Sequence, residues 1–257
     1  MRCLDALFPE SCRVCEVPLC EFSRIPVCRT CLNTAQAFTP EFHCRRCRTP
    51  FANRFPLDQE GVCRLCRGGG NRFDAAYTFG SYDGTLRRLI HLLKYEGVES
   101  VAAPLGRHLS EALPREQNFD WIVPVPMHWR RRLQRGFNHA EVLATELARR
   151  TGIPAERGLK RNRRTAPQAQ LTGAARRRNL AGAFRVADRF EVKGKRILLV
   201  DDVFTTGSTA NACASALKRA GAAHVSVLTV ARADRRFSEV SMFQPPDSGG
   251  EGAQRAA

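Results

Sequence analysis

The chain has 257 residues, 43% of them apolar, which is enough for one ordinary domain plus a small module and excludes a chain that is disordered throughout. With 41 Lys and Arg against 25 Asp and Glu the net charge is +16, so the expected partners are anions: phosphorylated small molecules, nucleic acid, or both. The first residues, MRCLDALFPESC, place Asp5 and Pro9 where a signal peptide needs an unbroken apolar run, and no window approaches a membrane span. The sequence therefore predicts a cytoplasmic protein without membrane insertion, in which a count of eleven cysteines points to metal ligation rather than disulfides.

Four C-x-x-C pairs lie between residues 12 and 66: Cys12 and Cys15, Cys28 and Cys31, Cys44 and Cys47, Cys63 and Cys66. Each pair lets two thiolates grip one metal from a tight turn, and eight cysteines suffice for two tetrahedral zinc sites. We assign 12/15/28/31 and 44/47/63/66, an interleaved pairing being the alternative. Closed Cys₄ coordination points to a structural role, with zinc supplying most of the segment's folding energy. Redox chemistry is the competing use of such pairs. Cys3, Cys20 and Cys213 fall outside the pattern, and Cys213 has the spacing of a helix core residue.

The run Arg67 to Arg72, rich in glycine, is expected to be a flexible hinge and a domain boundary. After it, Phe73 to Tyr82 alternates like a strand, and Gly84 to Tyr95 carries Leu86, Leu89, Ile90 and Leu93 on one helical face, with His91 in a surface or core role. A helix around Leu105, Leu109 and Leu113 precedes Trp121 to Pro126, a short buried strand stopped by prolines. The basic cluster Arg130, Arg131, Arg132 and Arg135 follows, its guanidinium groups suited to phosphate oxygens, and Asn138 caps a helix from His139 to Arg150. Lys160 to Leu180 holds Lys160, Arg161, Arg163, Arg164, Arg176, Arg177 and Arg178 and no acid, the composition of a mobile anion-binding loop. His224 to Ala231 is another apolar strand, and the Pro, Gly and Ser-rich end of the chain, residues 237–257, is expected to be disordered.

The most informative stretch is Arg196 to Thr209, RILLVDDVFTTGST. Ile197 to Val200 is the continuous apolar run of a strand buried on both faces, and it ends in Asp201 and Asp202. Thr205, Thr206, Gly207, Ser208 and Thr209 lead into a helix, so that free backbone N–H groups, hydroxyls and a helix dipole could enclose one phosphate. Carboxylates beside a phosphate cradle make sense for a sugar phosphate, whose vicinal hydroxyls donate to the acids. A nucleotide hydrolase would need a G-x-x-x-x-G-K-[ST] loop, which the chain lacks.

This segment resembles the phosphoribosyl diphosphate signature of type I phosphoribosyltransferases. Together with VPVPMHWRRRLQRGFNHAEVLA, RTAPQAQLTGAARRRNLAGAF and the cysteine pairs, it is similar to the ComF/GntX family of competence-associated proteins. The resemblance covers nearly all of residues 12 to 232. It implies an α/β fold: a type I phosphoribosyltransferase-like parallel sheet flanked by helices at 73–236, preceded by a small double zinc ribbon at 1–70. It further implies phosphoribosyl diphosphate as ligand, with Asp201 and Asp202 on the ribose and in the catalytic role, and Thr205, Thr206, Gly207, Ser208 and Thr209 on the 5-phosphate. Arg130, Arg131, Arg132 and Arg135 with Mg²⁺ would take the diphosphate, under a hood that includes Arg176, Arg177 and Arg178 and in which Thr165, Gln168 and Asn179 match family positions. Two positions depart from the family: Lys94-Tyr95-Glu96-Gly97 replaces Lys-Phe-x-Gly, and His139 stands where glutamine is usual. Family resemblance also brings in DNA uptake or DNA metabolism, so the alternative is a non-catalytic module that binds single-stranded DNA.

Overall fold

The structure, a computed structural model, describes residues 11–19, 23–37, 40–127, 132–133, 135–161 and 182–233. Cys3, Cys20, Arg130, Arg131, Arg176, Arg177, Arg178, the expected hood positions Thr165, Gln168 and Asn179, and the tail at 237–257 lie outside the described residues.

Among the described residues, four parallel strands form the central sheet: β3 (Ala75–Ser81), β4 (Trp121–Pro124), β7 (Arg196–Phe204) and β8 (His224–Arg232), in the spatial order β3-β8-β7-β4. The apolar runs of β7 and β8 occupy the two central positions, where both faces are covered, as continuous hydrophobicity requires. Side-chain alternation divides β7 between two cores. Leu198 and Val200 pack with α3 (Gly84–Tyr95), α4 (Ala102–Ala112) and α5 (His139–Thr151), whereas Ile197 and Leu199 pack with α6 (Ser208–Arg219) on the opposite face.

The switch of helices from one face to the other locates a crevice. The chain leaves β4 for α5 on one face and leaves β7 for α6 on the other, so the loops after these two neighbouring strands part at their carboxyl ends. In open α/β sheets this is where ligands bind.

The cysteine-rich segment is packed around the β3 edge rather than standing apart. Its short elements are α1 (Arg29–Thr34), the hairpin of β1 (Phe42–His43) and β2 (Pro50–Phe51), and α2 (Arg64–Arg67). Cys12 and Cys31 belong to the core on the α3 face, and Cys44, Cys47, Cys63 and Cys66 to the core on the α6 face. The segment thus straddles the exposed edge, and Ala76 N–H of β3 donates to the Arg46 carbonyl at 2.8 Å. A covered edge cannot template pairing with other chains.

Two expectations need correction. The stretch 67–72 is not an open hinge: Asn71 is buried and its side-chain amide donates to Cys66 Sγ at 3.2 Å. A polar residue at the end of a glycine run can be held by a sulfur acceptor that the sequence pattern does not reveal. The basic segment from Lys160 does not start as a loop, since Leu159–Arg161 is a strand, β5, antiparallel to β6 (Phe184–Val186). Leu159 and Phe184 bury the inner side of this hairpin while Lys160 and Arg185 both reach Asp188 from the outer side.

Glu96, without an evident purpose in the sequence, joins the layers. It accepts from Arg88 of α3 and pairs with Arg13 of the first cysteine turn at 3.4 Å, while Arg88 Nε donates to the Arg13 carbonyl at 2.9 Å.

Candidate phosphate and sugar site

The site is built at the end of β7. This strand does not stop at the acids but continues to Phe204, because β8 beside it is equally long and keeps pairing as far as Phe204 with Arg232. The backbone then turns at Gly207, whose φ of 70° lies in the left-handed region. A Cβ there would come within 2.6 Å of Phe204 Cζ, so both the conformation and the space demand glycine. The turn delivers Ser208 and Thr209 to the first turn of α6, with Thr205 and Thr206 exposed ahead of them. Thr206 Oγ1 lies 2.8 Å from Ser208 Oγ and accepts from the Ser208 N–H at 3.4 Å. Hydroxyls and N–H groups therefore converge at the positive end of a 12-residue helix, an arrangement able to hold a phosphate.

The two acids are not equivalent. Consecutive strand residues face opposite sides, and Asp202 is buried on the α3 and α5 side, where Lys94 Nζ lies 2.9 Å from its Oδ1. Burial alone would push the Lys94 ammonium down, but the Asp202 charge at contact distance outweighs it and holds the lysine up. Asp201, closely surrounded by protein though partly open, accepts from the Asp202 N–H at 2.9 Å. Burial first, and the neighbouring Asp202 charge second, push its carboxyl up to about 7.

His139 completes the buried group. Its Nε2 lies 2.9 Å from Arg135 Nη1. Since a guanidinium only donates, this nitrogen is an acceptor and the neutral ring carries its proton on Nδ1. Burial drives the imidazole down to about 4, against the pull of Asp202. The approach of 4.0 Å between His139 Nε2 and Asp202 Oδ2 is accordingly not an ion pair near neutral pH. Arg135 also stacks over Tyr95, 4.9 Å from the ring centre.

On the β4 side, Val125 N–H donates to the Val200 carbonyl at 2.9 Å, and Asn138 ties the loop to its helix. The Asn138 amide donates to the Val125 carbonyl at 3.2 Å while its Oδ1 accepts from Ala140 N–H at 3.2 Å, the expected N-cap. Arg132 is exposed and pairs with Glu141 at 3.4 Å. Of the arginines considered for the diphosphate, Arg135 is thus brought to the acids through His139, and Arg132 to the flank of α5.

Lys94 was not among the predicted site residues. A signal for it exists: it lies four residues after Ile90, on the buried stripe of α3, where a lysine needs a partner. What the sequence does not show is that the partner is Asp202.

The cysteines gather into the two assigned tetrads, Cys12, Cys15, Cys28 and Cys31, and Cys44, Cys47, Cys63 and Cys66, with all sulfurs of each set within 4.8 Å of one another. Cys15 and Cys28 sulfurs are 3.7 Å apart and those of Cys47 and Cys63 are 3.8 Å apart. A tetrahedral metal with bonds of about 2.3 Å requires sulfur separations of about 3.8 Å. Backbone N–H groups point at the sulfurs, as from Cys28 to Cys12 at 3.3 Å and from Cys63 to Cys44 at 3.3 Å. At Cys12 burial pushes the thiol up, yet the N–H bonds from Cys28, Cys15 and Val14 prevail and bring it to about 6. Each tetrad could hold one metal ion.

Residues 133–243 match the phosphoribosyl transferase domain. The chain is 33% identical over 231 residues to the DNA utilization protein YhgH of Escherichia coli O157:H7, covering 87% of this chain and 97% of that protein. It is 32% identical over 179 residues to Competence protein F of Haemophilus influenzae, covering 66% of this chain and 78% of that one. Among solved structures, a glutamine phosphoribosylpyrophosphate amidotransferase from B. subtilis, complexed with ADP and GMP, is 30% identical with a TM-score of 0.36, over 51% of this chain and 26% of that one.

Two predictions follow from the buried charges. Lys94→Met leaves Asp202 without its cation and is expected to cost about 3 to 5 kcal/mol of stability, with much of the loss recovered in Lys94→Met/Asp202→Asn, as chemical denaturation of the three proteins will show. Asp201 titrates near 7 in the fold against 3.8 as an ordinary aspartate, so between these values the folded state holds the extra proton. The stability this contributes is full below the lower value and is lost as pH rises through the upper one. The unfolding free energy of Asp201→Asn should therefore gain on the parent protein between pH 5 and pH 8, by at least about 1 kcal/mol. His139 shifts the opposite way but is common to both proteins and cancels.

Proposed function

Starting from a chain that belongs to the ComF/GntX family, we propose that the crevice between β4 and β7 binds phosphoribosyl diphosphate and that the protein acts in DNA utilization. The observation that carries this reading is the conjunction at the end of β7 of a glycine-opened helix N-terminus with two carboxylates of different burial. Phosphate chemistry belongs to the loop and hydroxyl chemistry to the acids. Thr205, Thr206, Ser208 and Thr209 with the α6 N–H groups take the 5-phosphate, and the acids take the ribose hydroxyls.

If transfer occurs, a nucleophile attacks C1 of the ribose, the C1–O bond to diphosphate breaks, and diphosphate leaves with the electron pair. Positive charge that develops on the ring is stabilised by the carboxylates at the end of β7. Mg²⁺ would arrive with the diphosphate and neutralise it. The donor set does not form a standing magnesium site, because Lys94 already holds one oxygen of Asp202. Arg135, on the loop after β4 and beside His139, is the candidate guanidinium for the leaving group, and the diphosphate role of the hood arginines Arg176, Arg177 and Arg178 is an expectation from the sequence.

The tetrads are read as two structural zinc sites, on their closed all-sulfur coordination. Single-stranded DNA is the second reading, favoured by a net charge of +16. Arg176, Arg177 and Arg178 are its candidate contacts.

Metal analysis of anaerobically prepared protein is expected to return two zinc ions per chain; a metal-free, folded preparation overturns the zinc reading. Calorimetric titration with phosphoribosyl diphosphate and Mg²⁺, with single-stranded DNA as competitor, tests the ligand. Asp202→Asn should weaken phosphoribosyl diphosphate about tenfold or more, one charged hydrogen bond being worth roughly 1.5 to 3 kcal/mol. Inorganic phosphate should bind that variant no worse, since a negative charge has left and Lys94 is released toward the cradle. Equal binding of phosphoribosyl diphosphate by both proteins removes the acid from the sugar site.

A further inference from the structure

Arg232, the last residue of β8, is buried at 6% exposure although it is an arginine. Its guanidinium spans two parts of the molecule. Nη1 donates to the Cys47 carbonyl at 2.9 Å and Nη2 to Thr49 Oγ1 at 2.6 Å, both in the second cysteine tetrad's turn. The same group lies over the Phe204 ring, 4.5 Å from its centre. Phe204 is the ring that occupies the space beside Gly207, and Phe73 meets it edge-on at 6.0 Å.

Thr49 continues the line to the sulfur. Its hydroxyl is 3.0 Å from Cys47 Sγ. A metal-bound thiolate can only accept, so with a metal in place Thr49 must donate to Cys47 and present its lone pairs to Arg232. A Cys₄ site with a divalent ion also carries two net negative charges, which favours a cation at this position. A second tie runs in parallel: Asn71 donates to Cys66 Sγ, and the neighbouring Arg72 N–H donates to Asn211 Oδ1 in the first turns of α6. The first tetrad has no comparable path among the described residues; its contacts go to α3 through Arg13 and Glu96.

We propose that Arg232 is a positioning residue that couples the second cysteine tetrad to the phosphate-binding turn, so that metal in the 44/47/63/66 site orders residues 205–210 and the 12/15/28/31 site does not. The coupling acts through the chain Cys47, Thr49, Arg232, Phe204, Gly207. A guanidinium clamped from the metal side fixes the aromatic ring, and the ring fixes the glycine turn from which the α6 N–H groups project. This rests on the proposed phosphate role of the turn only for its consequence in binding; the ordering itself is independent of any ligand.

Hydrogen exchange of the full-length, metal-loaded protein without ligand tests it. In Arg232→Met the amides of 205–210 should exchange about tenfold or more faster, the loss of a charged hydrogen-bonded clamp, while those of α4 and the first tetrad keep parental rates. Thr49→Val, which keeps the guanidinium and deletes one contact, should move the same amides in the same direction with two metal ions retained. Loss of metal from the second site by graded chelation should reproduce the pattern, and Cys15→Ser in the first site should not. Parental exchange at 205–210 in Thr49→Val, with its metal content intact, overturns the proposal, as does an equal effect of Cys15→Ser. If Arg232→Met does not fold, Thr49→Val and chelation decide alone. Titration of the same variants with inorganic phosphate then reads the consequence: weaker phosphate binding alongside faster exchange supports both readings, and faster exchange with unchanged phosphate binding leaves the coupling standing and removes phosphate from the turn.

Discussion

A carboxylate enclosed at the end of a strand that is covered on both faces cannot stay ionised without a cation, and Asp202 sets this demand on its surroundings. Lys94 meets it at 2.9 Å from the last turn of α3. Beside the pair, burial first and the Arg135 and Lys94 charges after it keep His139 neutral against the pull of Asp202, so that its ring serves as acceptor for Arg135. Asp201, one residue earlier and on the other face, has no such lysine in contact among the described residues, and burial with the neighbouring Asp202 charge raises its proton affinity instead. Two identical side chains in sequence thus acquire two environments, one in contact with a lysine ammonium, the other a carboxyl pushed up to about 7.

The cysteine-rich segment answers a different constraint. An edge strand of a parallel sheet leaves unpaired backbone groups, and β3 is covered by the segment's backbone rather than by another strand. Because one tetrad packs on each face, the segment embraces the sheet, and its second half comes to lie beneath the turn that closes the crevice. Metal ions held in tetrads placed this way would stabilise more than their own turns. The second tetrad is tied to the α/β core by buried polar residues, Asn71 and Arg232, that would otherwise be costly in an apolar interior.

Much of this was legible in residues. The C-x-x-C spacing paired the cysteines as the sulfurs are found, the apolar run 197–200 marked a central strand, and Asn138 capped its helix because an Asn before a helical stripe supplies the acceptor the first N–H groups need. The stretch 67–72 misled because glycine signals freedom of the backbone, whereas the packing of Asn71 against a sulfur depends on residues brought from elsewhere. Lys160 misled because charge is read along the chain, while a two-strand hairpin needs only one inward residue per strand, here Leu159 and Phe184.

Local periodicity and ligand chemistry are written in the order of residues, since a helix stripe, a turn glycine and a pair of thiols act over four residues or fewer. They determined the main strands and helices of the sheet, the thiol pairs and the acid and hydroxyl motif of this chain, while the joining of pairs into tetrads spans longer separations. Tertiary structure alone decided the partners of the buried charges: Lys94 meets Asp202 across 108 positions, and Arg232 meets Cys47 across 185. No local rule reaches so far, because which cation enters a buried site depends on how strands are ordered in the sheet and which face each helix covers.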